Sequence, residues 1–256
     1  MSAADNHAGL DGQPIPQEVA ELAGQLSEAE DESRRRRLAR QIASMAGRTG
    51  HVTTRFRTHG SATLRGLRAS GQWLTGQALE MAPKVPIRSN GRLRQQYPGL
   101  QTEQLADRLI TGAARASAGV GAAVGAVAAV PFVTTAPLEL GVETLALVAI
   151  ELKLIAELHE VYEMPAPGSA AQRMLAYTGA WAERRGVHVS SSGLALAVGS
   201  PLRRKLERRL LAKAGKSALA LTPLLTGAVA GALIDHHETR KLGTLVRDDL
   251  RSRGHS

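Results

Sequence analysis

Two long stretches without charge constrain this chain more than any other feature. The first is a run of 23 residues, 116–138, in which glycine, alanine and valine predominate, and the second is the run 217–234. Each run contains two glycines four residues apart, a small-xxx-small spacing that lets two helix backbones approach closely. These glycines are Gly121, Gly125, Gly227 and Gly231. The sequence therefore predicts two helices that pair through their glycines.

The composition favours a helical fold. Aromatic residues make up 3% of the chain, so a core must be built mainly from Leu, Val, Ile and Ala. Such a core is typical of closely packed helices rather than of a β-sandwich, which draws on aromatic and β-branched residues. We therefore predict an all-α fold, a multi-helix bundle with a Gly/Ala-rich helical hairpin as its core. The absence of cysteine excludes disulfides, thiolate zinc sites and a cysteine nucleophile.

Composition and hydrophobic periodicity divide the chain into four regions. They are a disordered tail (1–16), an Arg-rich helical region (17–95), a helical core (96–240) and a charged C-terminal tail (241–256). One helical pattern covers residues 17–45, acidic in its first half and basic in its second, which matches the helix dipole. Thr102 is the predicted N-cap of the helix that enters the first uncharged run. Ser169 and Gln172 form the pattern of a capping box.

The net charge of +9 is concentrated in two patches. No acidic residue lies between Glu32 and Glu80, whereas ten arginines occur from Arg34 to Arg68. The basic residues of the second patch that we expect to contact an anionic surface are Arg203, Arg204, Lys205, Arg208, Arg209 and Lys213. Phospholipid headgroups and nucleic acid are both suitable partners, and a solvated face that serves solubility is the alternative. Phe56 alone accompanies the first patch, so stacking on single-stranded nucleic acid is poorly supported.

The uncharged runs leave three arrangements open. A spanning helix needs roughly twenty predominantly apolar residues, a length that the first run satisfies and the second barely reaches. If both runs spanned, the basic cluster 200–216 would lie on the far side, against the positive-inside tendency. The runs can pair as a shallow or re-entrant hairpin, span conventionally, or pack inside a soluble helical domain. We favour membrane association without spanning, because apolar surface flanked by arginines suits an anionic interface.

Two carboxylates at the edge of an apolar helix need cationic partners. Glu139 and Glu143 lie one helical turn apart, and such groups in lipid or in a protein core require pairing. The preceding helix offers Arg108 and Arg115. We therefore predict a buried ion pair among these four residues, in preference to general acid/base chemistry.

Four motifs are too incomplete to predict a reaction. The G-x-G at 119–121 follows a helical pattern instead of the strand that a dinucleotide loop requires, and 215–217 lacks the first glycine of a phosphate-binding loop. The helix at His159 lacks the second histidine of a zinc protease. The four potential ligands at 235–238 point to different sides of a helix. We predict no cofactor, no metal and no enzymatic activity, and an enzyme built on Glu139, Glu143 or the histidines is the weakest hypothesis.

Three segments of the core resemble the EcsC-like family. They are PGL followed by LADRLITGAARASAGVGAAVGA, then LIAELHEVYEMP, and finally TPLLTGAVAGALIDHHETRKLG, which together span roughly residues 80–250. Relatives tend to carry an acidic residue after the Gly-rich helix, a position that Glu139 or Glu143 could fill. They also tend to have Tyr-Gly at the end of the next helix, where this chain has Tyr162 followed by Glu163. The resemblance implies an all-helical, membrane-associated bacterial protein of undetermined activity and supplies no catalytic residues.

These features together predict where the protein acts. We expect it at the cytoplasmic side of a bacterial membrane, peripheral or partly inserted, since the first fifteen residues show no secretory signal. An anionic membrane surface is the predicted partner, and a membrane protein is a further one. The alternative is a soluble helical scaffold or a nucleic-acid-associated protein that uses the arginine patches.

Overall fold

The computed structural model describes residues 15–48, 77–127, 136–184 and 223–254, and all regular structure within these ranges is helical. The helices are α1 (Ile15–Glu28), α2 (Glu32–Arg48), α3 (Asn90–Gln96), α4 (Thr102–Val127), α5 (Ala136–Val161), α6 (Ala170–Arg184) and α7 (Pro223–Arg253). A short 3-10 turn, Ala82–Lys84, precedes α3. The predicted all-α bundle is confirmed.

Helix α5 lies at the centre of the bundle. It packs against α1, α2, α4, α6 and α7. Between residues 142 and 158, all side chains except those of Thr144 and Leu147 are buried. The sequence predicts burial on several sides for the apolar turns from Thr144 to Ile150, and the structure confirms it. Burying each large aliphatic side chain of this helix contributes roughly 1.5–3 kcal/mol to folding.

The helical pattern over 17–45 is two helices rather than one. The turn between α1 and α2 is closed by Asp31, whose carboxylate accepts a hydrogen bond from the Arg34 backbone N–H at 2.7 Å, as an N-cap does. Arg35 then folds back and donates to the Ala29 carbonyl oxygen at 2.8 Å. The change from acidic to basic residues therefore marks the start of a second helix. The prediction of one continuous helix whose charges match its dipole was wrong.

The capping predictions had different outcomes. Ser169 and Gln172 form the reciprocal capping box at the start of α6, with bonds of 2.8 Å from the Ser169 backbone N–H and 3.3 Å from the Gln172 backbone N–H. At α4 the N-cap is Gln101, whose carbonyl accepts from the Leu105 N–H at 2.9 Å. The prediction of Thr102 was one residue late. Thr102 is the first helical residue, and its hydroxyl accepts a hydrogen bond from Arg94 at 3.0 Å.

The expected charged tail 241–256 is largely part of α7. This helix continues to Arg253, and Leu242, Val246 and Leu250 on its inner face are buried. Their spacing of four residues places them on one stripe, so this segment packs against the bundle instead of forming a separate tail. Residues 1–14 of the expected N-terminal tail and residues 49–76 of the Arg-rich region lie outside the described ranges.

Candidate functional site

Helices α4 and α7, which carry parts of the two uncharged runs, form the broadest helix pair among the described residues. Near the start of α4, Asp107 accepts an ion-pair contact of 2.6 Å from Arg247 near the end of α7. Further along, Ser117 of α4 lies 2.8 Å from the Thr239 hydroxyl. The two contacts show that the helices run antiparallel. The two helices that carry the uncharged runs therefore pack together, and their pairing through the four glycines stays a prediction.

The glycine that permits close approach within the described part of this pair is Gly243. A Cβ atom there would lie 2.8 Å from Ile110 of α4 and 3.0 Å from Leu154 of α5, closer than real Cβ contacts. Of the four glycines predicted to pair, Gly121 is buried in α4. The other three belong to α4 and α7, but their surroundings lie outside the described residues. These are Gly125, Gly227 and Gly231.

The uncharged segments of three helices meet at one end of the bundle. Helix α5 is also antiparallel to α4, because Tyr162 near its end donates to Glu103 near the start of α4 at 2.7 Å. The end of α4 and the starts of α5 and α7 therefore lie together. We name residues 118–127, 136–142 and 223–234 the apolar end; Glu139 is the only charged residue in these segments.

The apolar end exposes large hydrophobic side chains on α7. Val229, Leu233 and Ile234 expose 55%, 66% and 43% of their surface, respectively. Val229 and Leu233 lie one helical turn apart and hence on one face. The other large exposed hydrophobics in the described residues, Leu175 and Leu245, stand elsewhere. No helix in the described ranges has both the length and the hydropathy required to cross a membrane.

The structure gives Arg108 a partner that the sequence analysis did not predict. Arg108 is half exposed and contacts Glu30, in the turn after α1, at 2.9 Å. Arg115 is exposed as well. The predicted buried ion pair therefore does not include these two arginines, because both face solvent. Glu143 is buried on α5, whereas the side chain of Glu139 lies outside the described residues.

A different buried charge network holds the bundle together at the opposite half of α5. Lys153 Nζ lies 2.7 Å from Glu157 and 2.9 Å from Glu28 of α1. Arg88, which precedes α3, donates to both oxygens of Glu157, at 2.8 and 2.7 Å. Lys153 also donates to the Pro86 carbonyl. The network thus ties the segment before α3 to α1 and α5.

The two cations of this network determine the protonation of Glu157. Burial opposes ionisation of this carboxyl group, but hydrogen bonds from Arg88 and the charge of Lys153 outweigh it and hold the pKa below its usual value. For Arg88, burial likewise opposes the charged form, and Glu157 raises its pKa above the ordinary value nonetheless. Two cations face two carboxylates, Glu28 and Glu157, so the network is balanced. Its evident role is to hold the segments together.

A second polar contact joins α5, α6 and α7. Trp181 of α6 donates its indole N–H to Glu151 at 2.7 Å. The Thr239 hydroxyl of α7 lies 3.2 Å from the same carboxylate. Met174 and Tyr177 on the same face of α6 are buried, and Trp181 packs against the core.

The two basic patches differ in how much the structure describes. On α2, Arg34, Arg36, Arg37 and Arg40 are exposed, whereas Arg35 is buried. The second patch lies outside the described residues. It comprises Arg203, Arg204, Lys205, Arg208, Arg209 and Lys213.

No group of three or more metal-ligating side chains forms a cation site within the described ranges. His159, from the incomplete zinc-protease pattern, has Nδ1 2.7 Å from the Ile155 carbonyl oxygen. Its ring lies 4.7 Å from that of Tyr177, centroid to centroid. These contacts account for His159 as a packed residue of α5.

No protein-family model, curated protein or solved structure matches this chain. The resemblance to the EcsC-like family therefore rests on the sequence pattern and stays a prediction. Among the described residues, the apolar end stands out because three large hydrophobic side chains are exposed on an uncharged segment.

Proposed function

We propose that this chain is a non-enzymatic, membrane-associated helical protein of the EcsC-like kind, which acts at the cytoplasmic side of a bacterial membrane. It contacts the bilayer with its apolar end, without a spanning helix among the described residues. The observation that carries the proposal is the exposure of Val229, Leu233 and Ile234 on an uncharged half-helix. A membrane protein that binds the same end is a further expected partner.

The energetics favour a bilayer interface for this surface. Isolated exposed hydrophobics are common on soluble proteins, but here three of them stand within six residues of an uncharged segment. Apolar helix surface buries about 5–10 Å deep into the boundary between headgroups and acyl chains. Burying Val229 and Leu233 there would contribute roughly 1.5–3 kcal/mol each if their burial were complete.

The end of α5 supports the EcsC-like resemblance. Glu163 has a φ of +57°, a left-handed conformation that glycine adopts without strain. The Met164 N–H bonds to the His159 carbonyl at 2.9 Å and the Glu163 N–H to the Glu160 carbonyl at 3.1 Å, which is the Schellman pattern of a helix C-terminus. Relatives tend to carry Tyr-Gly at this place, so the backbone here keeps the glycine conformation although the residue is Glu.

Flotation with lipid vesicles tests the proposal. The full chain should float with vesicles of phosphatidylcholine and phosphatidylglycerol. The double variant Val229→Ser/Leu233→Ser should bind at least about tenfold more weakly, because two exposed apolar side chains no longer enter the interface. Both positions are exposed, so the fold should be unaffected.

A matched control distinguishes binding through the apolar end from nonspecific hydrophobic adsorption to vesicles. Leu175→Ser/Leu245→Ser removes two hydrophobic side chains of similar exposure from other places and should leave flotation unchanged. Failure of the wild-type protein to float would refute the proposal. Equal loss in both double variants would show that the apolar end has no special part in binding.

A further inference from the structure

We propose that the exposed arginine face of α2 is a docking surface for the anionic headgroups of a phospholipid bilayer, and that it makes insertion of the apolar end selective for negatively charged membranes. This inference rests on the proposed function and adds to it the lipid class and the residues that recognise it. The face consists of Arg34, Arg36, Arg37 and Arg40.

The two sides of α2 are sharply different. Leu38, Ile42 and Met45 are buried against the bundle, and their spacing defines the inner stripe of an amphipathic helix. Arg36, Arg37 and Arg40 project from the other side and are exposed. Because the inner stripe fixes the orientation of the helix, it also holds the three guanidinium groups on one outward face.

The charge of this face is almost uncompensated. Helix α2 contains six arginines and one acidic residue, Glu32. Glu32 contacts Arg35 and lies 3.0 Å from Arg36. Within the described ranges, Arg37 and Arg40 have no carboxylate partner, so their charge is available to an anionic surface. Such a surface attracts clustered arginines over about a Debye length, roughly 8 Å at physiological salt.

The position of α2 points to a bilayer. Arg35 and Arg115 line the same small cleft beside Gly112 of α4. Further along, a Cβ atom on Gly119 would lie 3.6 Å from the Cβ of Ala39. Helix α2 therefore runs along α4 towards the apolar end. Its exposed arginines stand where this end begins, at the level that headgroups occupy when the apolar residues enter the interface.

A nucleic acid fits the same face less well. Duplex phosphates would satisfy the arginines, but they would leave the exposed apolar side chains of α7 in water. Helix α2 also contains no aromatic side chain on which an unpaired base could stack. An anionic bilayer satisfies the charge and the apolar surface together.

The test compares two triple variants of equal charge change in the full chain. Arg36→Gln/Arg37→Gln/Arg40→Gln neutralises three of the four arginines of the proposed face and keeps Arg34. Its control neutralises three exposed arginines towards the other end of the bundle: Arg92→Gln/Arg251→Gln/Arg253→Gln. Both proteins and the wild type are titrated with pure phosphatidylcholine vesicles, with vesicles that also contain phosphatidylglycerol, and with duplex DNA. Urea unfolding checks that all three are equally folded.

We expect the wild type to prefer the phosphatidylglycerol vesicles, with a preference that weakens as salt is added. Each basic residue at an anionic surface strengthens binding by roughly fivefold, so the α2 variant should bind them about 100-fold more weakly. The control should change by less than about threefold, because its arginines lie far beyond a Debye length from the surface.

The other outcomes overturn the inference in distinguishable ways. If the α2 variant keeps the wild-type preference, the arginine face does not select the lipid, while the proposed function stands. If the wild type binds neither kind of vesicle, the proposed function itself fails. Tight, salt-dependent binding of duplex DNA without preference for phosphatidylglycerol would assign the face to nucleic acid instead.

Discussion

Replacement of Glu157 by glutamine should cost more stability than any other single charge removal in the described core. The carboxylate accepts from the Arg88 backbone N–H at 3.1 Å, from the Arg88 side chain at 2.8 and 2.7 Å, and lies 2.7 Å from Lys153. Its side chain is only 3% exposed. An amide would turn an NH₂ group towards one of these cations. The two buried positive charges, Arg88 and Lys153, would then share Glu28 as their remaining carboxylate.

Removal of one partner of a buried pair typically destabilises a protein by about 3–5 kcal/mol. Because Glu28 still compensates one cation, we expect a loss of free energy of unfolding at the lower end of this range, about 3 kcal/mol. Urea unfolding of Glu157→Gln at neutral pH measures this loss. Glu80→Gln is the matched control: Glu80 pairs with Lys84, also four residues away, but both are partly exposed, and the expected loss is at most about 0.5 kcal/mol. A loss below about 1 kcal/mol for Glu157→Gln would refute the view that the network holds the bundle together.

Three further predictions concern stability. Burial opposes ionisation of Glu157, yet its partners lower its pKa in the folded state. The contribution of Glu157 to the free energy of unfolding should therefore be complete above the unfolded carboxyl pKa of about 4.3 and disappear as the pH falls through the folded pKa. In urea unfolding at decreasing pH, the wild type should lose its extra stability over Glu157→Gln, and a stability difference that grows in acid would contradict this. Glu163→Gly should stabilise the protein by up to about 1 kcal/mol because glycine relieves the left-handed φ at this position. Loss of the exposed hydrogen bond from Asn90 to Glu163 reduces this gain slightly. A fall in the melting temperature in thermal unfolding would contradict this prediction. Gly243→Ala should destabilise the protein by about 1–3 kcal/mol because its Cβ would clash with the neighbouring helices. The control Gly179→Ala, which has open space around the Cβ, should stabilise the protein by about 0.5–1 kcal/mol. Equal effects of the two substitutions on urea unfolding would disprove the close approach at Gly243.

Local patterns carried the prediction of the fold because they report directly on helices. The capping box at Ser169 and Gln172 and the apolar turns of α5 both correspond to observed features. The break at Asp31 was missed because a change of charge along a helix and a new N-cap look alike in sequence. The inner stripe of α7 beyond Leu242 was missed because charged residues surround it.

Long-range pairing explains most of what the sequence could not predict at the site. Lys153 and Glu157 lie in a central helix, and a sequence pattern assigns such charges to solvent unless their partners are known. Their partner Arg88 is 69 residues away from Glu157, and only the fold brings it there. Arg108 was likewise assigned to the next helix, whereas its partner Glu30 lies 78 residues earlier.

The glycines illustrate a related limit. Paired glycines at four-residue spacing directed attention to the two uncharged runs, and the helices that carry them do pack together. The close approach that the structure describes between these two helices is instead at Gly243, a single glycine outside both runs. Its place on the stripe with Thr239, Val246 and Leu250 was the available signal, since these residues share one face at helical spacing.

The most direct test of the central claim places a fluorescent probe on the apolar end. The chain contains no cysteine, so Leu233→Cys provides a unique site for a polarity-sensitive label, and Leu175→Cys provides a control on α6 that is also more than half exposed. On addition of vesicles containing phosphatidylglycerol, the label at 233 should shift its emission to the blue and be quenched by brominated lipid, while the label at 175 stays in water. A label at 233 that remains in water while the protein is bound to the vesicles would contradict insertion of the apolar end.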